Sequence, residues 1–274
     1  MFMSVFKAMM QFLLSRVGAF KWALICVFLS ACQTPPDKIK HKLSDNTLAD
    51  IALQSGDMRS AIGLYQNLLA NYDKNQPDNL TDKVSLLVPL AQAYRALGQS
   101  ELAIHYLKQA NMISPDSLLS WRELGFNYMD QQQYDAAKDA FGFAININNM
   151  DISSLNGMGI VCSWLKDYHS AHKYLIQALA LKPGNIEYKN NLALNYILQH
   201  EYRSAISLLL PLYQQQRSTA KMRNNLALAL TLNGNEDYAR QVLAKDFNQQ
   251  QIEQNINYYQ FSHKEQVLPA KVDS

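Results

Sequence analysis

The residue types that carry enzyme or metal chemistry are present in this chain, but not in the groupings that such chemistry needs. His169 and His172 stand one helical turn apart and could share a helix face, yet a metal site needs at least a third ligand. The acidic residues are scattered and form no pair suited to acid–base catalysis. The sequence contains no nucleophile elbow and no glycine-rich phosphate loop. We therefore expect no enzyme activity, no metal and no bound cofactor.

The N-terminus has the pattern of a secretory signal peptide. Lys7, Arg16 and Lys21 precede an apolar run from Trp22 to Leu29, and no acidic residue occurs in the first 31 positions. The apolar run is too short to cross a bilayer, which takes ~20 residues in a helix. The sequence therefore predicts that residues 1–31 are a cleaved signal.

Cys32 is the one residue for which the sequence predicts covalent chemistry. It ends the stretch Leu29-Ser30-Ala31-Cys32, which follows the apolar run directly and resembles the lipobox of bacterial lipoprotein precursors. That resemblance implies cleavage before Cys32, with diacylglycerol on its sulfur and a fatty acyl group on its new amino terminus. Gln33 favours the outer membrane, because aspartate at that position is the usual signal for inner-membrane retention. The alternative is an ordinary signal peptide followed by a chance cysteine.

The charge balance argues against a nucleic-acid-binding protein, and the cysteine count argues against a disulfide within the chain. The chain has 25 basic and 23 acidic residues, and removal of residues 1–31 leaves 22 basic against the same 23 acidic. This near-neutral balance gives no electrostatic reason to expect nucleic acid as a partner. Cys26 leaves with the signal and Cys32 is predicted to carry lipid, so Cys162 has no partner for a disulfide within the chain. We expect Cys162 to be a buried small apolar residue.

The elements that position any functional surface are predicted by an alanine that returns every 34 residues. Each unit also has a large apolar or methionine residue followed by alanine or glycine in its first half, and a large apolar residue four positions after the period alanine. The period alanines are Ala103, Ala137, Ala171, Ala205 and Ala239, with Ala61 as an earlier member after a longer interval. Small residues at two points of each unit allow two antiparallel helices to approach closely.

A period of 34 with these residue types is typical of tetratricopeptide repeats. We predict an all-α solenoid of about six helix pairs, with units at about 43–75, 84–117, 118–151, 152–185, 186–219 and 220–246. Gly56, Gly98 and Gly234 mark turns between the paired helices. Ile252, Ile256 and Tyr259 predict one further helix that caps the solenoid, which would span residues 43–262. Residues 32–42 are expected to form a tether and residues 263–274 a flexible tail.

The predicted binding surface is the concave face, lined by the first helix of each unit. Asparagines recur there at matching positions, and an amide can donate to and accept from a peptide backbone at once. The alternative is a ladder of hydrogen bonds between repeats that serves packing alone. The candidate groove residues are the amides Asn156, Asn190, Asn191, Asn224 and Asn225 and the apolar residues Phe126, Trp164 and Leu194, with Ile160 on the same lining.

The lipobox, about six repeats and the ending from Asn224 to Leu230 together resemble the TadD lipoproteins of tight-adherence (Flp) pilus assembly. Gly234, Arg240 and Leu243 continue this resemblance. It implies an outer-membrane lipoprotein that faces the periplasm and serves as a scaffold for the secretin or associated periplasmic proteins. Two alternatives share the same parts: a pilotin that chaperones a type IV pilus secretin, and an adaptor for a periplasmic protease.

Overall fold

The computed structural model describes residues 45–75 and 80–267, and in these residues every regular element is an α-helix. The predicted signal, Cys32 and the tether lie outside the described residues, as does most of the predicted tail. The helices are α1 (Asp45–Ser55), α2 (Met58–Asn75), α3 (Leu80–Ala96), α4 (Ser100–Ile113), α5 (Leu118–Asp130), α6 (Tyr134–Ile147), α7 (Ile152–Trp164), α8 (Tyr168–Leu181), α9 (Ile186–Leu198), α10 (Tyr202–Gln214), α11 (Ala220–Leu232), α12 (Glu236–Leu243) and α13 (Gln249–Val267). Consecutive helices pack against each other along the chain. The predicted helical solenoid is confirmed, and none of its described helices is long and apolar enough to cross a membrane.

In four successive units a side chain caps the start of the first helix, and these capping residues are spaced 34 residues apart. Each cap accepts a hydrogen bond from the backbone N–H three residues later, which satisfies one of the free donors at a helix start. The caps are Ser117, Asp151, Asn185 and Thr219, with donor–acceptor distances of 3.4, 2.9, 3.0 and 3.3 Å. They fix the phase at which each unit begins.

The turn inside each unit places one residue in the left-handed backbone region. Gly98 and Gly234 have φ of +74° and +85°, as the sequence predicted for glycines at these turns. The units between them carry Gln132, Lys166 and His200 at the same position, with φ near +60°. A side chain there costs roughly 1–2 kcal/mol, so glycine is favoured at this turn but not required.

The buried core follows the predicted repeat positions. All six period alanines are fully buried, and the large residue four positions later is at most 2% exposed in every unit. A third repeat position is the large residue that precedes alanine or glycine in the first helix of each unit. Its exception is Leu48, which is 38% exposed because α1 has no preceding helix to cover it within the described residues. The remaining positions of that set are Leu90, Leu124, Met158, Leu192 and Leu226, and all are buried.

Small residues allow one aromatic ring to lie between two units. Phe141 of α6 is fully buried, and a methyl group added to Gly125 of α5 would lie 2.7 Å from its ring. A methyl group added to Gly157 of α7 would come closer still to the same ring. The two glycines therefore form the walls of the pocket that holds Phe141.

The C-terminal end of the solenoid is closed as predicted. Ile252, Ile256 and Tyr259 of α13 are buried against the last core, which α11 and α12 complete. Asp246 follows the short helix α12 and receives two hydrogen bonds from Arg223, at 2.6 and 2.5 Å. Helix α13 continues to residue 267, past the predicted tail boundary at 263, and Lys264, Glu265 and Gln266 are good helix formers.

Candidate interaction surface

The first helices of the units form the inner face of the solenoid. Helices α3, α5, α7, α9, α11 and α13 each contact the next member of this series, whereas the second helices contact no neighbouring second helix in the described part of the chain. The stack must therefore curve toward the first helices, whose exposed sides we call the inner face. The second helices diverge on the opposite side, which we call the outer face.

The predicted asparagine row is present on the inner face, and its amides bind one another. The Asn191 amide donates to Asn156 Oδ1 at 2.9 Å, linking α9 to α7. Asn225 donates in the same way to Asn190 Oδ1 at 2.9 Å, linking α11 to α9. The Tyr259 hydroxyl completes the row with a 2.5 Å bond to Asn224 Oδ1.

These hydrogen bonds join neighbouring repeats, as expected for the alternative in which the asparagines form a ladder that serves packing. Asn156, Asn190 and Asn191 are buried, and removal of one partner would leave a buried polar group unpaired at a cost of roughly 1–3 kcal/mol. Burial also raises the pKa of the Tyr259 phenol to about 12, so it remains a donor at neutral pH. Asn224 and Asn225 are only half-buried. Binding of a partner by these amides remains a prediction.

An apolar stripe runs beside the ladder. Phe126, Ile160, Leu194 and Leu228 occupy one position of four successive first helices, and all four are half-buried. Trp164 adds a 52% exposed indole at the end of α7, stacked on the ring of Tyr134 at 5.9 Å. Equivalent side chains of stacked repeats lie in a row, so the stripe is continuous from α5 to α11.

The stripe contains one residue that the sequence reasoning missed. Leu228 has the same 34-residue spacing as the other three members, and this spacing could have identified it.

The inner face is polar at its N-terminal end. The Arg95 guanidinium donates to Asp130 at 2.6 Å and lies 5.0 Å from the centre of the Phe126 ring. The Glu123 carboxylate is buried and accepts a 3.0 Å bond from Gln92. Charged groups there already pair with each other, which leaves the apolar stripe as the more favourable surface for a partner.

The residues with potential chemistry are separated from this stripe. His169 is exposed on α8, and His172 lies against the ring of Tyr196 at 5.5 Å. Cys162 is fully buried, and burial raises the pKa of its thiol, which disfavours the reactive thiolate. In residues 45–75 and 80–267, no group of three His, Cys, Asp or Glu side chains could hold a metal ion.

Comparison with known proteins identifies the repeat. Residues 85–117, which cover α4 and most of α3, match the family model described as "Tetratricopeptide repeat". The described residues fold as a tetratricopeptide-like helical solenoid, one unit of which matches this model.

Solved structures with this fold cover most of the chain at low identity. Pseudomonas aeruginosa pilF matches with a TM-score of 0.62 and 15% identity, over 81% of this chain and 96% of that one. A tetratricopeptide repeat protein from Parabacteroides merdae has a TM-score of 0.60 and 16% identity, over 79% and 83% of the two chains. YrrB, described as "a TPR protein with an unusual peptide-binding site", has a TM-score of 0.53 and 17% identity, over 71% and 96%. These likenesses show the fold.

Curated relatives match only part of the solenoid. Cellulose synthase operon protein C of Komagataeibacter xylinus is 28% identical over 123 residues, which is 44% of this chain and 9% of that protein. Cellulose synthase 1 operon protein C from the same organism is 28% identical over 152 residues, which is 50% of this chain and 12% of the relative. The matched region is thus about a tenth of each relative's length.

Proposed function

We propose that this protein is an outer-membrane lipoprotein of Flp (Tad) pilus assembly, whose inner face binds a component of the pilus export machinery. The observation that carries the proposal is the apolar stripe, whose half-buried side chains recur along the inner face from α5 to α11. An accessible apolar surface of this kind marks an interaction site. The resemblance to TadD lipoproteins supplies the pilus system, and Cys32 supplies the membrane anchor.

The stripe fits a helix or an extended segment of a partner. Its four members supply the apolar area that such a segment buries, while Trp164 provides an exposed aromatic anchor at its edge. Tryptophan is enriched among the residues that dominate binding energy at interfaces. The secretin or an associated periplasmic protein is the partner that the family resemblance implies.

The anchor gives a first prediction. We expect cells fed an azido fatty acid to label the full-length protein and leave Cys32→Ser unlabelled, since thiol alkylation precedes the other steps. A single acyl chain binds membranes only marginally, so the three implied chains explain a stable anchor. Fractionation should place the labelled protein in the outer membrane. Equal labelling of the two proteins would contradict lipidation at Cys32.

The inner face gives a second prediction. Trp164→Ala should weaken capture of the pilus export partner by tenfold or more, since loss of an interface tryptophan typically costs about 2 kcal/mol or more. The matched control is Ile176→Ala on α8, which is 40% exposed on the outer face. Both variants should melt close to the wild type, because neither side chain is part of the buried core. Capture can be measured by co-purification with a tagged secretin.

Other outcomes distinguish the alternatives. Normal capture and normal pilus export by Trp164→Ala would contradict binding at the inner face. Loss of secretin localisation without any loss of Flp pili would favour a pilotin. Stable capture of a periplasmic protease in place of export components would favour the adaptor alternative.

A further inference from the structure

A second surface lies on the outer face, where the second helices diverge. A groove of about 490 Å³ opens between α4 and α6, with α5 below it. We call it the outer groove; its apolar lining includes Met112, Trp121, Leu124, Tyr128, Ala140 and Phe143. It is separate from the inner face and shares no residue with the apolar stripe.

The walls of the outer groove are unusually exposed for apolar side chains. Met112 is 82% exposed and Phe143 is 51% exposed. The Trp121 indole stacks on Phe143 with ring centres 4.4 Å apart, and its N–H donates to the Pro115 carbonyl at 2.7 Å. A methionine beside a fixed aromatic pair gives an adaptable apolar site.

Asn111 is a buried polar side chain in the lining of this groove. It is only 8% exposed, and its Oδ1 accepts a hydrogen bond from the Ser120 hydroxyl. Its Nδ2 is buried and has no hydrogen-bond partner within the described structure. A donor left unpaired in this way costs roughly 1–3 kcal/mol. The next unit has Ile145 at the equivalent position, so packing does not require an amide here.

Two opposite charges lie at the walls of the groove. Lys108 is on α4, with its ammonium 5.9 Å from the centre of the Tyr128 ring, and Asp139 is on α6. Both side chains are exposed, and neither forms an ion pair among the described residues. The groove therefore offers a cation on one wall, an anion on the other and an unpaired donor between apolar surfaces.

We propose that the outer groove binds a short apolar peptide segment of a partner protein. An apolar side chain of the segment occupies the groove beside Trp121 and Phe143, and a backbone carbonyl accepts the free hydrogen bond of Asn111. A carboxylate of the segment pairs with Lys108, and a basic side chain pairs with Asp139. The site is independent of the proposed pilus function, because it lies on the other face and uses none of the same residues.

A random-peptide phage library supplies the probe. The library is selected on the wild-type chain and depleted on a Met112→Glu/Phe143→Glu double variant, in which both changed positions are exposed. We expect enriched peptides that combine apolar, acidic and basic residues. Synthetic versions should lose binding by about tenfold in Asn111→Leu, the equivalent of one lost hydrogen bond to a peptide carbonyl. Asn111→Leu should remain folded, because the next unit carries isoleucine at this position.

A charge exchange tests the orientation. Lys108→Glu/Asp139→Lys should reject the selected peptides and bind versions in which acidic and basic residues are exchanged. If no peptide depends on Met112 and Phe143, or if Asn111→Leu and the charge exchange leave its affinity unchanged, the proposal is wrong. Concentration-dependent dimers that the double variant abolishes would assign the groove to a second copy and would also overturn the proposal.

Discussion

Ala171→Trp should lower the melting temperature by several degrees, whereas His169→Trp should leave it nearly unchanged. Ala171 is fully buried in a core cluster of α6, α7 and α8, where an inserted ring has no space. Overpacking of a core typically costs ~1–3 kcal/mol, and each kcal/mol shifts the melting temperature of a chain this size by roughly 2–4 °C. His169 is exposed on the same helix, and such positions usually change stability by about ±0.5 kcal/mol or less. Thermal unfolding followed by circular dichroism measures both variants.

This pair of variants tests the phase of the repeat. The two positions lie on one helix and receive the same new side chain. Loss of the helix propensity of alanine explains at most ~0.7 kcal/mol of the difference, so a larger difference reports the burial of position 171. Equal melting temperatures would mean that the period alanines do not mark the contact between paired helices.

Gly157→Ala should destabilise the protein, whereas Gly142→Ala should stabilise it. The new methyl group at position 157 would overlap the Phe141 ring, which cannot retreat because Gly125 closes its other side. The nearest atom to a methyl group at position 142 is 3.8 Å away, so that site has room. Alanine in a helix interior is favoured over glycine by roughly 0.5–1 kcal/mol, which is the expected gain at Gly142. Overpacking at Gly157 should cost about 1–3 kcal/mol.

A double variant separates this clash from other effects. Phe141→Leu creates space and lowers stability by itself, but Gly157→Ala should cost much less in that background. The coupling between the two substitutions can be read from urea unfolding of the four proteins. If Gly157→Ala costs the same with either residue at position 141, the pocket around this ring is not as described.

The repeat itself could be predicted because it depends on the spacing of small residues. The period alanine in the second helix of each unit and the alanine or glycine in the first helix fix which helix faces approach each other. All six period alanines are buried, as expected. The cap pattern from Ser117 to Thr219 has the same period and was available in the sequence. Non-glycine residues such as Lys166 at the left-handed turn position gave no such signal.

The details of the binding surfaces were harder to predict, because they depend on register between helices. Asn190 and Asn191 are adjacent in the sequence but pair with opposite neighbours, one with α11 and one with α7. Repeat spacing aligns equivalent positions, whereas these bonds join positions 35 residues apart, and only packed helices reveal that offset. The outer groove likewise arises from divergence of the second helices, for which the sequence has no local pattern.

In-cell photo-crosslinking from the inner face tests the central claim most directly. A photoreactive amino acid at Leu194, within the apolar stripe, should crosslink to a component of the pilus export machinery in cells that make Flp pili. The same amino acid at His169, on the outer face of the neighbouring helix pair, should not. Crosslinks to that machinery from position 169 and none from position 194 would contradict binding by the inner face, and none from either position would contradict the pilus assignment.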